Sequence, residues 1–254
     1  MAGGAIDGGA GAGGAGALDP ADLISDFEDV AAATVVMAGT PSRNGFWYTF
    51  NDDNPGGTDR TCVQMPKAGP QTLAMGLPAE RYIGVEPPGG VHAGSTGSRA
   101  LRGTWSGCVI WGAGIGADLN LPVVPDGGTY MGPRVPYDVT PYKGVTFWAR
   151  ATIGSDPSLR IRFPMVDETK VEDGGLCPES ATNRCGDSFG EKFNMPSDGS
   201  WKQFTVRWTD VAFAQEGWGA VFRWNPQHVT SIQIVAVDKA EPYDFYVDDL
   251  SFIR

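Results

Sequence analysis

Apolar positions in this 254-residue chain recur at every second residue far more clearly than at every third or fourth. In VTFWARAT (145–152), Val145, Phe147, Ala149 and Ala151 share one face of an extended chain, and Thr146, Trp148, Arg150 and Thr152 share the other. In LRIRF (159–163), Leu159, Ile161 and Phe163 alternate with Arg160 and Arg162. In QFTVRW (203–208), Phe204, Val206 and Trp208 alternate with Gln203, Thr205 and Arg207. SIQIVAV (231–237) is a more apolar strand, and YDFYVDDLSFI (243–253) is strand-like to its end. Turn-forming residues separate these runs: GSDPS at 154–158, SDGS at 197–200, WNPQ at 224–227 and DKAEP at 238–242. No window supports a long amphipathic helix. Short strands at regular intervals predict an all-β, two-sheet antiparallel sandwich rather than βαβ units.

Composition sharpens this picture. With 36 Gly, 19 Pro and 8 Trp, the chain favours turns and short strands. Residues 1–21 are mostly Gly and Ala and read as a flexible tether ahead of one folded domain over 22–254. The start lacks the basic and apolar regions of a secretory signal. A net charge of −11 opposes binding to nucleic acid or to an anionic membrane surface, and no apolar run is long enough to span a bilayer. Neutral polymers and metal cations remain as partners.

The four cysteines, Cys62, Cys108, Cys177 and Cys185, permit three disulfide pairings. Cys177 and Cys185 share the loop GGLCPESATNRCGD, where a local bridge closes easily, and Cys62 with Cys108 would then remain. The absence of CxxC and the presence of only two histidines disfavour zinc, and disulfides imply an oxidising compartment.

Two segments carry more specific chemistry. WGAGIGADLN (111–120) alternates strictly, with Gly112, Gly114, Gly116, Asp118 and Asn120 on one face. Glycines along a strand face mark close approach by a ligand or by another part of the protein. One reading is a smooth groove floor ending at Asp118; the other is a loop packed on the glycines. In the last strand, Asp249 shares the parity of the inward-facing Tyr243, Phe245 and Val247. A lone buried carboxylate costs several kcal/mol unless it is paired or bound to a metal. Oxygen ligands suit Ca²⁺, and Glu28 in the acidic run SDFED (25–29) is a second donor if the first and last strands are neighbours. The alternative is a bulge that turns Asp249 outward.

Together LISDFED near the start, RNGFWYTFND (43–52), WGAGIGADLN, PYDVTPYKGVTFWAR (136–150) and the final YDFYVDDLSFIR resemble the carbohydrate-binding modules with a galactose-binding-like jelly roll, family 11 and its relatives. The resemblance covers about residues 22–254. It implies a jelly-roll sandwich, a structural calcium joining the first and last strands, and a ligand cleft on the concave sheet. The implied calcium ligands are Glu28 and Asp249, with Asp26 and Asn44 as further candidates. It also implies a secreted or cell-surface, bacterial-type protein that binds a polysaccharide or oligosaccharide and is tethered to a larger scaffold. The long loop at 166–192 departs from a simple binding module.

Sugars are held by stacking on aromatic rings and by hydrogen bonds from polar groups to the hydroxyl rim. The outward positions of 145–163 offer Trp148, Arg150, Arg160 and Arg162 for this task, with Asp118 and Asp187 as hydroxyl acceptors. Trp47 and Tyr48 have opposite parities, so only one belongs in the core, and Trp47 is taken as the sugar-facing member. The competing reading covers Trp148 with a loop and pairs the arginines with its acids. Trp105, Trp201, Trp208, Trp218 and Trp224 are assigned to packing. The function expected is non-catalytic carbohydrate binding. A glycoside hydrolase or polysaccharide lyase is the first alternative, with acids such as Asp167 and Glu191 abundant enough to form a pair. An adhesive or self-assembling surface protein is the second.

Overall fold

The computed structural model describes residues 19–28, 39, 42–51, 62–65, 69–70, 85–108, 112–120, 133–153, 158–196, 198–236 and 242–254. The Gly/Ala tether lies outside these residues up to position 18. The described residues form a two-sheet antiparallel sandwich of the jelly-roll class. Its strands are β1 (Leu23–Ser25), β2 (Trp47–Asn51), β3 (Val63–Met65), β4 (Gly69–Pro70), β5 (Leu101–Ser106), β6 (Ala113–Asp118), β7 (Gly144–Ile153), β8 (Ser158–Arg162), β9 (Gly190–Asn194), β10 (Lys202–Arg207), β11 (Ser231–Ala236) and β12 (Tyr243–Ile253). The first sheet runs β10-β7-β12-β5-β3, with β1 also paired to β12, and the second runs β4-β2-β6-β11-β8-β9.

The period-two pattern explains the layers. Val145, Phe147 and Ala149 of β7 meet Leu159 and Ile161 of β8, Ile232 and Ile234 of β11, and Phe245 and Val247 of β12 in one buried core. Each large apolar side chain buried there contributes about 1.5–3 kcal/mol. At Gly103 the sheets touch so closely that a Cβ would lie 2.5 Å from the Phe245 ring and 2.8 Å from Ile115 Cδ1. Gln64 crosses the core edge and donates from Nε2 to Gly114 O at 2.8 Å.

Two features of the topology govern everything that follows. Strands β7 and β8 are consecutive but belong to different sheets. Their outward residues therefore face opposite sides of the molecule. Trp148 and Arg150 lie on the outer face of the first sheet, and Arg160 and Arg162 on that of the second, so the single patch expected from 145–163 is two separate surfaces.

The second feature is a bulge in β12. Its register against β7 shifts between Asp248 and Ser251, and Asp249 adopts φ 48°, a left-handed conformation that aspartate tolerates better than most residues. The extra residue lets Val247 and Leu250 both point into the core. Asp249 is thus not an inward residue: the bulge turns it toward His92. Asp248 is the fully buried carboxylate.

Both disulfides form, Cys62–Cys108 and Cys177–Cys185. Among the described residues no helix is long and apolar enough to cross a membrane.

Candidate functional site

The outer face of the second sheet carries a cross-strand array. In register, Tyr48 of β2 lies opposite Gly116 of β6, then Gln233 of β11 and Arg162 of β8. The adjacent row holds Phe50, Gly114, Val235 and Arg160. Cβ atoms added to the two glycines would meet these neighbours. At Gly114 it would lie 2.4 Å from Phe50 Cζ and 2.8 Å from Val235 Cγ1; at Gly116, 2.7 Å from Tyr48 Cζ and 3.0 Å from Gln233 Cγ. The glycines are filled from the sides, by side chains of the flanking strands. Tyr48 and Phe50 consequently lie low over β6, half-buried, with ring centroids 5.8 Å apart.

Polar groups extend from these rings. Arg162 Nε donates to Gln233 Oε1 at 2.6 Å, and Gln233 Nε2 donates to the Tyr48 hydroxyl at 2.6 Å. The Arg162 guanidinium also lies 5.6 Å from the centre of the Phe50 ring. Burial raises the Tyr48 phenol, with Asp118 adding to the effect. Asp118 stands at the end of β6, where Arg134 Nη1 donates to it at 2.7 Å. Burial nevertheless lifts the Asp118 carboxyl to about 6, against the lowering by Arg134. Glu168 is fully buried beside this array, and burial pushes it up to about 7 despite hydrogen bonds from Ser188 and the Met165 N–H and the Arg162 charge. The result is an aromatic floor edged by a guanidinium, an amide and a phenol.

The sequence-derived site residues scatter around this floor. Trp47 is 1% exposed and packs 5.2 Å from the Phe27 ring, so it is the core member of its pair and Tyr48 the outward one. This corrects the choice made from sequence, where parity alone left the two equivalent. Arg160 is buried and donates to Ser188 O and Ala214 O, which ties two loops to β8. Asp187 is 1% exposed and accepts the N–H groups of Glu216, Gly217 and Gly219, so it holds a loop in place. Of the sequence-derived candidates, Asp118 and Arg162 take part in the array, and Arg160 lies in its second row with its guanidinium turned to loop carbonyls. Tyr48, Phe50 and Gln233 complete it, and the signal that locates them is the register of β2 and β11 against the glycines of β6. Of the acids considered for catalysis, Asp167 is bonded to His228 Nδ1 at 2.7 Å, and Glu191 is half-buried at the β9 edge.

Trp148 and Arg150 occupy the opposite surface. His92, from the segment over 85–99, stacks on Trp148. The Trp201 indole N–H donates to Gly90 O at 3.0 Å and ties the same segment down. A loop does cover Trp148, though it comes from 85–99 and not from 166–192. Arg150 lies over the rings of Trp201 and Tyr246 at 5.6 and 5.4 Å, and its buried Nε has no hydrogen-bond partner among the described residues.

Beneath His92 lie the acids expected to hold calcium. With them lies Asp248, which the sequence did not single out: it is 0% exposed, and its Oδ2 makes no hydrogen bond among the described residues but lies 3.7 Å from His92 Nε2. Burial, followed by the charges of Asp249, Glu28 and Asp26, lifts its carboxyl to about 8. Glu28 Oε1 accepts the N–H groups of Ser98 and Arg99, Asp26 Oδ1 accepts that of Glu28, and Asp249 Oδ2 lies 2.9 Å from His92 Nε2. Asn44 is exposed on the lead into β2, where its N–H donates to Leu119 O. Among the described residues, no three His, Cys, Asp or Glu side chains converge closely enough to enclose a metal as they stand.

No protein-family model and no curated protein matches the sequence. Solved structures similar to it include the family 11 carbohydrate-binding module of a cellulosomal cellulase of Clostridium thermocellum, with 11% identity, a TM-score of 0.43, and coverage of 94% of this chain and 96% of that one. The family 30 carbohydrate-binding module of another cellulosomal cellulase of Clostridium thermocellum is similar at 13% identity and a TM-score of 0.35, over 62% of this chain and 76% of that one. An exo-beta-agarase is similar at 9% identity and a TM-score of 0.39, over 81% of this chain but 25% of the enzyme.

Proposed function

We propose that this protein binds a neutral polysaccharide or oligosaccharide, without cleaving it, on the outer face of the second sheet. The observation that carries the reading is the placement of the Tyr48 and Phe50 rings against Gly114 and Gly116, edged by Arg162 and Gln233. The uncovered part of these half-buried rings offers stacking surface for the apolar face of a pyranose. The guanidinium, amide and phenol fix one another, so little ordering is required when they meet hydroxyls. The strongly negative chain disfavours acidic polysaccharides.

A structural Ca²⁺ between the first and last strands belongs to the same reading. Its support is the buried Oδ2 of Asp248, which has no hydrogen bond among the described residues, lies 3.7 Å from His92 Nε2, and is set among the charges of Asp249, Glu28 and Asp26. Hard oxygen donors of this kind suit Ca²⁺, which would neutralise the buried charge and draw the bulge and β1 together. Asp248 joins Glu28, Asp249 and Asp26 as a ligand in this proposal. The two disulfides support an oxidising, extracellular setting.

The test is retention on a panel of neutral polysaccharides (β-1,3-1,4-glucan, xylan, agarose), with product release assayed in the same tubes. The wild type should be retained without products, and Tyr48→Ala should lose retention while keeping the wild-type melting profile. New reducing ends would make the protein an enzyme. Retention unaffected by Tyr48→Ala would move the site elsewhere.

A further inference from the structure

Trp218 is 43% exposed on a loop whose backbone is held at almost every residue. Asp187, buried beneath it, accepts the N–H groups of Glu216, Gly217 and Gly219 at 2.9, 2.8 and 3.1 Å. Gln215 spans the loop, donating from Nε2 to Asp187 O and Ala220 O and accepting the Phe222 N–H. The Ala220 N–H donates to Arg184 O, next to the Cys177–Cys185 bridge. Gly219 presses so tightly on Asp187 that a Cβ would lie 2.6 Å from its Cβ. This framework positions an indole that does not enter the core.

The indole itself is oriented. Its N–H donates to Glu216 Oε2 at 3.2 Å, and the Arg184 guanidinium lies 5.4 Å from the ring centre. A large ring held at the surface by so many contacts is a feature that folding alone does not require, and surfaces of this kind mark binding.

The loop also abuts the array on the second sheet. Ala214 exchanges backbone hydrogen bonds with Gly190 and accepts Arg160, while the charge of Glu216 acts on both Arg160 and Arg162. The loop that carries Trp218 therefore adjoins the β8–β9 side of the floor formed by Tyr48 and Phe50.

We propose that Trp218 is a second stacking platform, which takes a further pyranose ring of the neutral glycan bound over Tyr48, with Glu216 and Arg184 beside it for hydroxyl contacts. This inference rests on the reading of the second sheet as the sugar-binding face. It makes binding dependent on chain length, because a short oligosaccharide covers the floor and only a longer one reaches the loop.

The experiment is calorimetric titration of wild type, Trp218→Ala, Trp218→Phe and Tyr48→Ala with gluco-, xylo- and agaro-oligosaccharide ladders, disaccharide to octasaccharide. For the ladder that binds, wild-type affinity should rise with length, and Trp218→Ala should plateau early, losing roughly tenfold on the longest members and nothing on the shortest. Trp218→Phe should recover part of the loss. Wild-type affinities for Trp218→Ala at every length, alongside weakened Tyr48→Ala, would overturn the platform and leave the floor intact. Loss in Trp218→Ala at every length, with Tyr48→Ala unaffected, would overturn the floor and the extension built on it. No binding to any ladder would overturn both.

Discussion

The imidazole of His92 lies flat on the indole of Trp148, with ring centroids 4.3 Å apart and planes 5° from parallel, and its Nε2 reaches Asp249. A single histidine thereby covers Trp148 on the outer face of the first sheet and contacts the β12 bulge. An indole in such a stack has its sugar-facing surface occupied. Trp148→Ala should behave as a packing mutant, lowering stability by about 2–4 kcal/mol while leaving polysaccharide retention unchanged. Chemical denaturation and affinity electrophoresis on the same samples check this. Lost retention in a stable variant would return the site to this face.

Gly116 tests the floor from beneath. A methyl group there would lie 2.7 Å from Tyr48 Cζ and must push that ring, or Gln233, upward. Gly116→Ala should weaken binding roughly tenfold by displacing the stacking surface and breaking the Tyr48–Gln233–Arg162 chain. The core on the other side of β6 is untouched, so the melting temperature should change little. Titration calorimetry and thermal unfolding separate the two effects.

Glu168 predicts a pH dependence of stability. Its folded-state value, about 7, lies above the ordinary 4.5. The folded state therefore holds this proton more tightly than the unfolded chain does. The stabilisation is fully present below about pH 4.5 and is lost as pH rises through about 7, by at most roughly 3 kcal/mol. Glu168→Gln cannot ionise, so the difference between wild type and variant should change along this window and be flat above it. Urea midpoints measured from pH 5 to pH 8 would reveal the slope; parallel curves would refute it.

Calcium should matter most at the bulge. EDTA should lower the melting temperature by roughly 5 °C, and added Ca²⁺ should restore it, as expected for a ligand that binds only the folded state. Asp248→Asn removes the buried charge and should abolish the response to either reagent. A wild-type melting temperature indifferent to both would exclude a structural calcium.

Much of the fold is legible in the sequence because burial on one face imposes a period of two. The runs at 145–152, 159–163, 203–208, 231–237 and 243–253 mark β7, β8, β10, β11 and β12 to within a residue or two. β5 alternates just as regularly, with Leu101, Gly103 and Trp105 inward, yet glycine at its centre conceals the pattern. What a one-dimensional pattern lacks is the sheet to which each strand belongs. Trp148 and Arg160 are both outward in alternation, but one lies under His92 and the other under Ala214. Tyr48 and Trp47 differ only in parity, and the partner strand decides which faces solvent. Asp249 reads as inward because alternation cannot count the extra residue of a bulge.

The paired glycines of β6 divide labour between strands. β6 supplies Ile115 and Ala117 to the interior and presents bare backbone outside at positions 114 and 116, so apart from Asp118 at its end it adds little to the chemistry of the surface it supports. That chemistry belongs to residues 48 and 50 on one flank and 233 and 235 on the other, each set directly across from a glycine. Exchanging those four side chains would retile the floor for a different ligand while the central strand, and the packing behind it, stayed as they are.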